Sequence, residues 1–354
     1  MKKLFYLTLC IAVLSISSCN NEKKIEVPEN GPPGMVWIPG GEFKMGALEG
    51  DDQARVDEFP AHDVEVSGFW MDATEVTNAE FKRFVDATGY VTVAERDIDW
   101  EDMRKQLPVG TPKPPDSMLL ASSMVFTPVA TNNLNDWTQW WSWVKGANWR
   151  QPQGPGSTIE DKMDHPVVQV SWEDAQEYLN WAGKRFPTEA EWEFAARGGL
   201  ERELYPWGDE IDKITICGNI WEGDFPEYNS QNDGFFTTAP VSNYEPNGYG
   251  LYDMAGNVWE WTSDWYNASY YAQLAKQGEV ENPQGATAPF DPQRPNMPQR
   301  VQRGGSFLCN ESYCSSYRVS ARMKSSPDTG QDHVGFRAVM DAESWNNIIS
   351  SGLR

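Results

Sequence analysis

Between Gly199 and Tyr266 neither helical nor strand periodicity persists, and Gly, Pro, Asn, Asp and Trp dominate. A run this long and irregular constrains the fold more than any other feature. Its backbone amides and carbonyls need partners, and side chains, ordered water or bound ions are the usual ones. Any regular framework must therefore come from the segments on either side.

On the N-terminal side three helices are marked by capping boxes. In 77-TNAEFKRFVDATG-89, Thr77 and Glu80 form the box, Phe81, Phe84 and Val85 the apolar stripe, and Gly89 the stop. In 171-SWEDAQEYLNWAG-183, Ser171 caps, Ala175, Tyr178, Leu179 and Ala182 face inward, and Gly183 ends the helix. In 188-TEAEWEFAARGG-199, Thr188 and Glu191 repeat the device. All three read as core helices without chemistry. The segment 34-GMVWIPGGEFKMG-46 reads as strand–turn–strand about Gly40-Gly41, and the alternation in 62-HDVEVSGFWMD-72 as a further strand. Residues 276–300 are polar and Pro-rich and are expected to form a surface loop. No internal repeat is evident.

The chain opens MKKLFYLTLCIAVLSISSCNN. Two lysines, an apolar run too short for a confident membrane span and the small residues before Cys19 read as a lipoprotein leader over 1–18. Cys19 would carry the lipid, and residues 19–33 would tether the folded domain to the membrane. The expected location is exported and lipid-anchored, facing the periplasm or the cell surface. A formal net charge of −23 excludes nucleic acid as a partner, because phosphate binding needs clustered Lys and Arg.

Of five cysteines, Cys10 leaves with the leader and Cys19 carries lipid, so Cys217, Cys309 and Cys314 remain. Three are too few for a disulfide scaffold, and the fold must stand on a core that 17 Trp help to fill. By residue type alone, Cys309 and Cys314 in 304-GGSFLCNESYC-314 are a short-loop disulfide, a redox pair or a soft-metal site. Two sulfur ligands suit Cu(I), whereas zinc would want two more. His62, His165 and His333 are scattered and form no metal motif. Two acidic loops, 219-NIWEGDFPEYNSQNDGF-235 and 253-DMAGNVWEW-261, mix side-chain oxygens with backbone carbonyls in the way Ca²⁺ requires.

Taken together, GMVWIPGGEFKMG, FWMDATEVTNAEF, DHPVVQVSWEDAQEYLNWAGKRFPTEAEWEFAARGG, PNGYGLYDMAGNVWEWTSDWY and RGGSFLCNESYC resemble the formylglycine-generating enzymes, or sulfatase-modifying factors. The resemblance implies a single compact α+β domain with low regular secondary structure over 34–342, followed by a C-terminal tail at 343–354. It implies oxidation by O₂ of the cysteine in a C-x-P-x-R segment of an unfolded exported sulfatase to Cα-formylglycine. Separately, the chain is expected to be a monomer that meets the membrane only through its lipid. The resemblance implies Cu(I) on Cys309 and Cys314, with Ser306 beside them and Tyr313 lining the substrate groove. It also implies two structural calcium ions. One would take Asn219, the Ile220 carbonyl, Asp233 and the Phe235 carbonyl, and the other Asp253, the Gly256 and Val258 carbonyls and Glu260.

Three groove positions depart from the family pattern: Asn310 where His is frequent, Ser316 where a basic residue is usual, and His333 where Asn is common. Asn310 and His333 are expected to contact substrate. Val319 stands where some animal members carry a structural cysteine, which leaves Cys217 as a buried spare thiol. The alternative to the oxidase is a non-catalytic envelope lipoprotein of the same fold, with Cys309 and Cys314 as a plain disulfide.

Overall fold

The computed structural model describes residues 30–352, so the leader, Cys19 and most of the tether lie outside the described residues. The three expected helices form at Asn78–Thr88, Trp172–Ala182 and Glu189–Arg197, each with its reciprocal N-terminal box and a left-handed glycine at its end. The box satisfies amide groups that the first helical turn leaves without partners. The third helix is buried on every side. Its acids are tolerated there because Arg303 and Arg322 both reach Glu189, and Arg303 and Arg197 both reach Glu193.

Among the described residues the strands are short and gather into four small sheets. Met35–Ile38 and Gly41–Met45 form as expected, but they do not pair as a hairpin. The first joins Phe69–Asp72, which also pairs Val339–Asp341. The second joins His62–Val66 in a different sheet. The corner at Gly40 explains the split. There φ is +72°, and a β-carbon would sit 2.5 Å from the Val66 carbonyl oxygen, so only glycine lets the chain cross so closely. The single strand expected over 62–72 likewise breaks in two at Ser67-Gly68.

The sheet that carries the site runs Met323–Ser325, Arg300–Arg303, Trp259–Trp265, Val334–Gly335, with only the last pair parallel. Trp259–Trp265 is thus a full strand at the end of the irregular stretch. Before it, from Gly199, the regular structure is a 3₁₀ turn at Ile211–Lys213 and one helical turn at Ile214–Cys217. A two-stranded hairpin, Ser122–Phe126 with Trp141–Lys145, lies beside the sheet. Ser123 and Asp332 pin it there: the Ser123 hydroxyl donates to the Gly330 carbonyl at 2.7 Å, and Asp332 accepts from the Phe126 amide at 3.0 Å. The expected tail is a helix, Ala342–Ser351, packed through Trp345 and Ile348 on Met35, Trp70 and Met340.

Two large apolar clusters form the core. One gathers Phe81, Phe84, Tyr178, Trp259 and Trp261 and includes Cys309 and Cys314 at its border. The other surrounds Trp192 and the Met45, Val64 and Met71 side of the small sheets.

Candidate active site

After strand Arg300–Arg303 the chain turns through Gly304 and Gly305, both at positive φ. A β-carbon on Gly305 would lie 3.0 Å from the Ser316 carbonyl oxygen, so the entering and leaving strands of this loop touch there. Two turns follow. The Cys309 amide donates to the Ser306 carbonyl at 2.8 Å, and the Tyr313 and Cys314 amides both donate to the Asn310 carbonyl, at 3.0 and 2.7 Å. The Cys309 carbonyl is fixed from outside by the Trp221 amide at 2.9 Å. These turns bring the two sulfurs to 2.7 Å as unbonded, buried thiols.

The Cys314 pKa is held down to about 6 by the hydrogen bond from Cys309, then by the Ser316 hydroxyl and the Arg55 guanidinium. Burial first, and then its bond to Cys314, pushes the Cys309 thiol well above its ordinary range. Arg55 comes from a loop far away in sequence and donates to Ser316 Oγ at 3.3 Å. It brings a cation to the place where Ser316 replaces the family's basic residue, and no local motif could reveal that.

The cysteines open into a cavity of about 1050 Å³. Tyr313 lines it as expected, stacked on Phe225 with centroids 4.6 Å apart and planes at 7°, with Trp140 set edge-on at 5.4 Å. Burial pushes the Tyr313 phenol up to about 12, so it stays protonated. Ser306 also lines the cavity and is fully buried. His333 lines it too, against Trp141, with ring centroids 4.8 Å apart. Asn310 does not line it. Its side-chain amide donates to the Trp221 and Gly223 carbonyls, and its oxygen accepts from Ser312, so Asn310 locks the turn. Sequence reasoning missed Trp140, Trp141 and Phe225, which reach the site from hairpin and loop. Cys217 is buried elsewhere in the fold, beside Ile214 and Glu245. His62 and His165 are structural: His62 Nδ1 meets the Pro60 carbonyl, and His165 Nδ1 the Thr238 hydroxyl.

Among the described residues no three His, Cys, Asp or Glu side chains converge as a metal cluster. Two buried sulfurs without a third such ligand fit Cu(I), which accepts two soft donors. The calcium loops meet a different test. Asn219 packs against the 233–237 loop, donating to the Thr237 carbonyl at 2.9 Å. Asp233 accepts from the Phe235 amide and the Tyr244 hydroxyl. In the second loop Asp253 Oδ1 is buried without a partner, and so is Oε2 of the neighbouring Glu75. Glu260, by contrast, is already satisfied: Arg337 grips both its oxygens at 2.6 and 2.7 Å, and Trp192 Nε1 donates at 2.7 Å. Burial, and then the charge of Asp253, pushes the Glu75 carboxyl well up; burial also lifts Asp253 to about 6. Two orphaned carboxylate oxygens in one buried spot fit a hard divalent cation. Glu75 enters this group only through the fold.

The chain matches the model of the sulfatase-modifying factor enzyme 1-like domain over residues 21–342. It is 46% identical over 315 residues to the formylglycine-generating enzyme of Streptomyces coelicolor, covering 88% of this chain and 90% of that one. It is 45% identical over 325 residues to the formylglycine-generating enzyme of Thermomonospora curvata, covering 89% and 97%. The solved structure of PvdO from Pseudomonas aeruginosa shares the fold, with a TM-score of 0.55 at 24% identity over 87% of this chain and 94% of that one.

Proposed function

The chain belongs to the sulfatase-modifying factor enzymes, and from that premise we propose that it oxidises the cysteine of C-x-P-x-R segments in exported sulfatases to Cα-formylglycine with O₂. It is an oxidoreductase of the formylglycine-generating type. In this reading Cys309 and Cys314 hold Cu(I), two calcium ions brace the irregular half, and Cys19 anchors the protein to a membrane by lipid. The observation that carries it is the buried thiol–thiolate pair at the floor of an aromatic cavity.

Each residue has a definable task. Cys314 is held ionised by Cys309, Ser316 and Arg55, so a soft metal need displace only one proton on binding. When bound, Cu(I) supplies the redox chemistry by which oxygen oxidises a thiolate. Ser306 O and the Asn310 carbonyl hold the turns that fix both sulfurs. Phe225, Tyr313 and Trp140 form a rigid wall that orders an extended peptide and keeps water from the sulfurs.

The test is direct. Copper-loaded protein is incubated with oxygen and a peptide containing C-T-P-S-R, and the aldehyde is sought by mass spectrometry. Product is expected from the wild type and from neither Cys309→Ser nor Cys314→Ser. Absence of product from the copper-loaded wild type would overturn the reading.

A further inference from the structure

The cavity is larger than the cysteine chemistry needs. Its lining combines the aromatic residues Trp140, Phe225 and Tyr313 with polar residues from strand Arg300–Arg303 and its approach. On this strand Arg303 points into the buried ion cluster with Glu189 and Glu193. Gln302, its neighbour, therefore faces the other way. It sits in cross-strand register with Trp261 and Met323, and it lines the cavity. Gln299 lines the cavity as well, just before the strand.

Both glutamines are nearly inaccessible, at 1% and 3% exposure. Gln302 Nε2 and Gln299 Oε1 are buried without a hydrogen-bond partner among the described residues. Leaving a buried amide group unpaired is costly, so two of them lining one cavity call for an explanation in terms of a ligand. Together they offer one donor and one acceptor. Rotating both amides together exchanges these roles and keeps one of each kind.

We infer that Gln299 and Gln302 form a main-chain clamp for the substrate peptide, with Gln302 donating to a peptide carbonyl and Gln299 accepting from a peptide N–H. This rests on the peptide-oxidase reading above. An extended peptide presents unpaired backbone groups along both edges, and a donor–acceptor pair recognises them whatever the side chains are. The aromatic residues Trp140, Phe225 and Tyr313 line the same cavity, so the peptide meets side-chain contacts as well as backbone contacts. It would let one cavity serve sulfatases whose sequences differ around the reacting cysteine.

The experiment measures binding of a fluorescein-labelled peptide with the target cysteine replaced by serine, by anisotropy, on the full mature protein. Gln299→Leu and Gln302→Leu are each expected to raise Kd about 5- to 20-fold, as loss of one hydrogen bond to a buried partner would. The same factor is expected for peptides whose flanking residues are changed to alanine. N-methylation at one peptide position should weaken wild-type binding by a similar factor and add nothing in Gln299→Leu. Thermal melting checks that each variant is folded. If one is not, the N-methyl scan on wild type and the surviving variant still decides. Wild-type Kd in folded variants, no peptide binding to wild type, or N-methyl effects that persist unchanged in Gln299→Leu would overturn the clamp. Binding without aldehyde formation would sink the oxidase reading and leave the clamp standing, whereas turnover with unchanged Kd in the variants would do the reverse.

Discussion

Removing divalent cations should make this protein lose stability as pH rises through the mildly acidic range. The cause is the buried pair Glu75 and Asp253. Asp253 ionises at about 6 rather than its ordinary 3.8, because burial penalises the charge. A carboxyl raised in this way favours folding only while protonated. Its contribution is complete below 3.8, is lost as pH climbs towards 6, and stays lost above. The loss is about 3 kcal/mol for Asp253 alone, from roughly 1.4 kcal/mol per pH unit. Glu75 moves in the same direction, and the Arg337 guanidinium, which Glu260 holds, offsets only part of that rise. A bound calcium ion would remove the penalty by neutralising both charges. At about 2 °C or more per kcal/mol for a domain of this size, the difference is roughly 6 °C in Tm. Calorimetric melting of chelated and calcium-loaded protein from pH 4.5 to 7.5 measures it. The gap should be small at pH 4.5 and open fully above pH 6.5. Paired carboxylates elsewhere, such as Glu189, slope the opposite way but cancel in the comparison. Asp253→Asn or Glu75→Gln should flatten the slope of the chelated protein. Equal melting temperatures with and without calcium across this range would refute the reasoning, as would an unchanged slope in both variants.

Other expectations concern the site and its supports. In metal-free protein, alkylation of Cys314 should rise with a midpoint near pH 6, and Arg55→Ala should move that midpoint upward; a midpoint in the ordinary thiol range would contradict the thiol–thiolate assignment. Gly256→Ala should cost about 2 kcal/mol or more, read by urea unfolding, because φ is +85° and the new methyl would meet the Asn219 carbonyl oxygen at 2.3 Å. Arg303→Met should destabilise by about 3–5 kcal/mol in the same assay, since it leaves Glu189 and Glu193 buried with one fewer cation. Phe225→Ala should cost about 3–5 kcal/mol and raise the KM for peptide, because it removes both a core contact and the surface on which Tyr313 stacks.

Local chemistry was enough to locate the three helices, since a capping box and a left-handed glycine act within one turn of backbone. It was also enough to draw attention to Cys309 and Cys314, which one short loop carries, and to the acidic loops at 219–235 and 253–261, whereas Ser306 stood out only through the family resemblance. Long-range geometry was not legible. That Met35–Ile38 and Gly41–Met45 enter separate sheets depends on how closely Val66 approaches Gly40. That residues 342–351 form a packed helix depends on Met35 and Trp70 being there to receive Trp345. The site divides along the same line. Sequence by itself determined the pair of cysteines and the loop that presents them. Only the tertiary structure brought Arg55 to Ser316, beside Cys314. It alone set Glu75 against Asp253 and turned Gln302 towards the cavity. Charge, burial and unpaired hydrogen-bonding groups are properties of neighbours, and pairs such as Arg55 with Ser316 or Glu75 with Asp253 lie far apart in the chain.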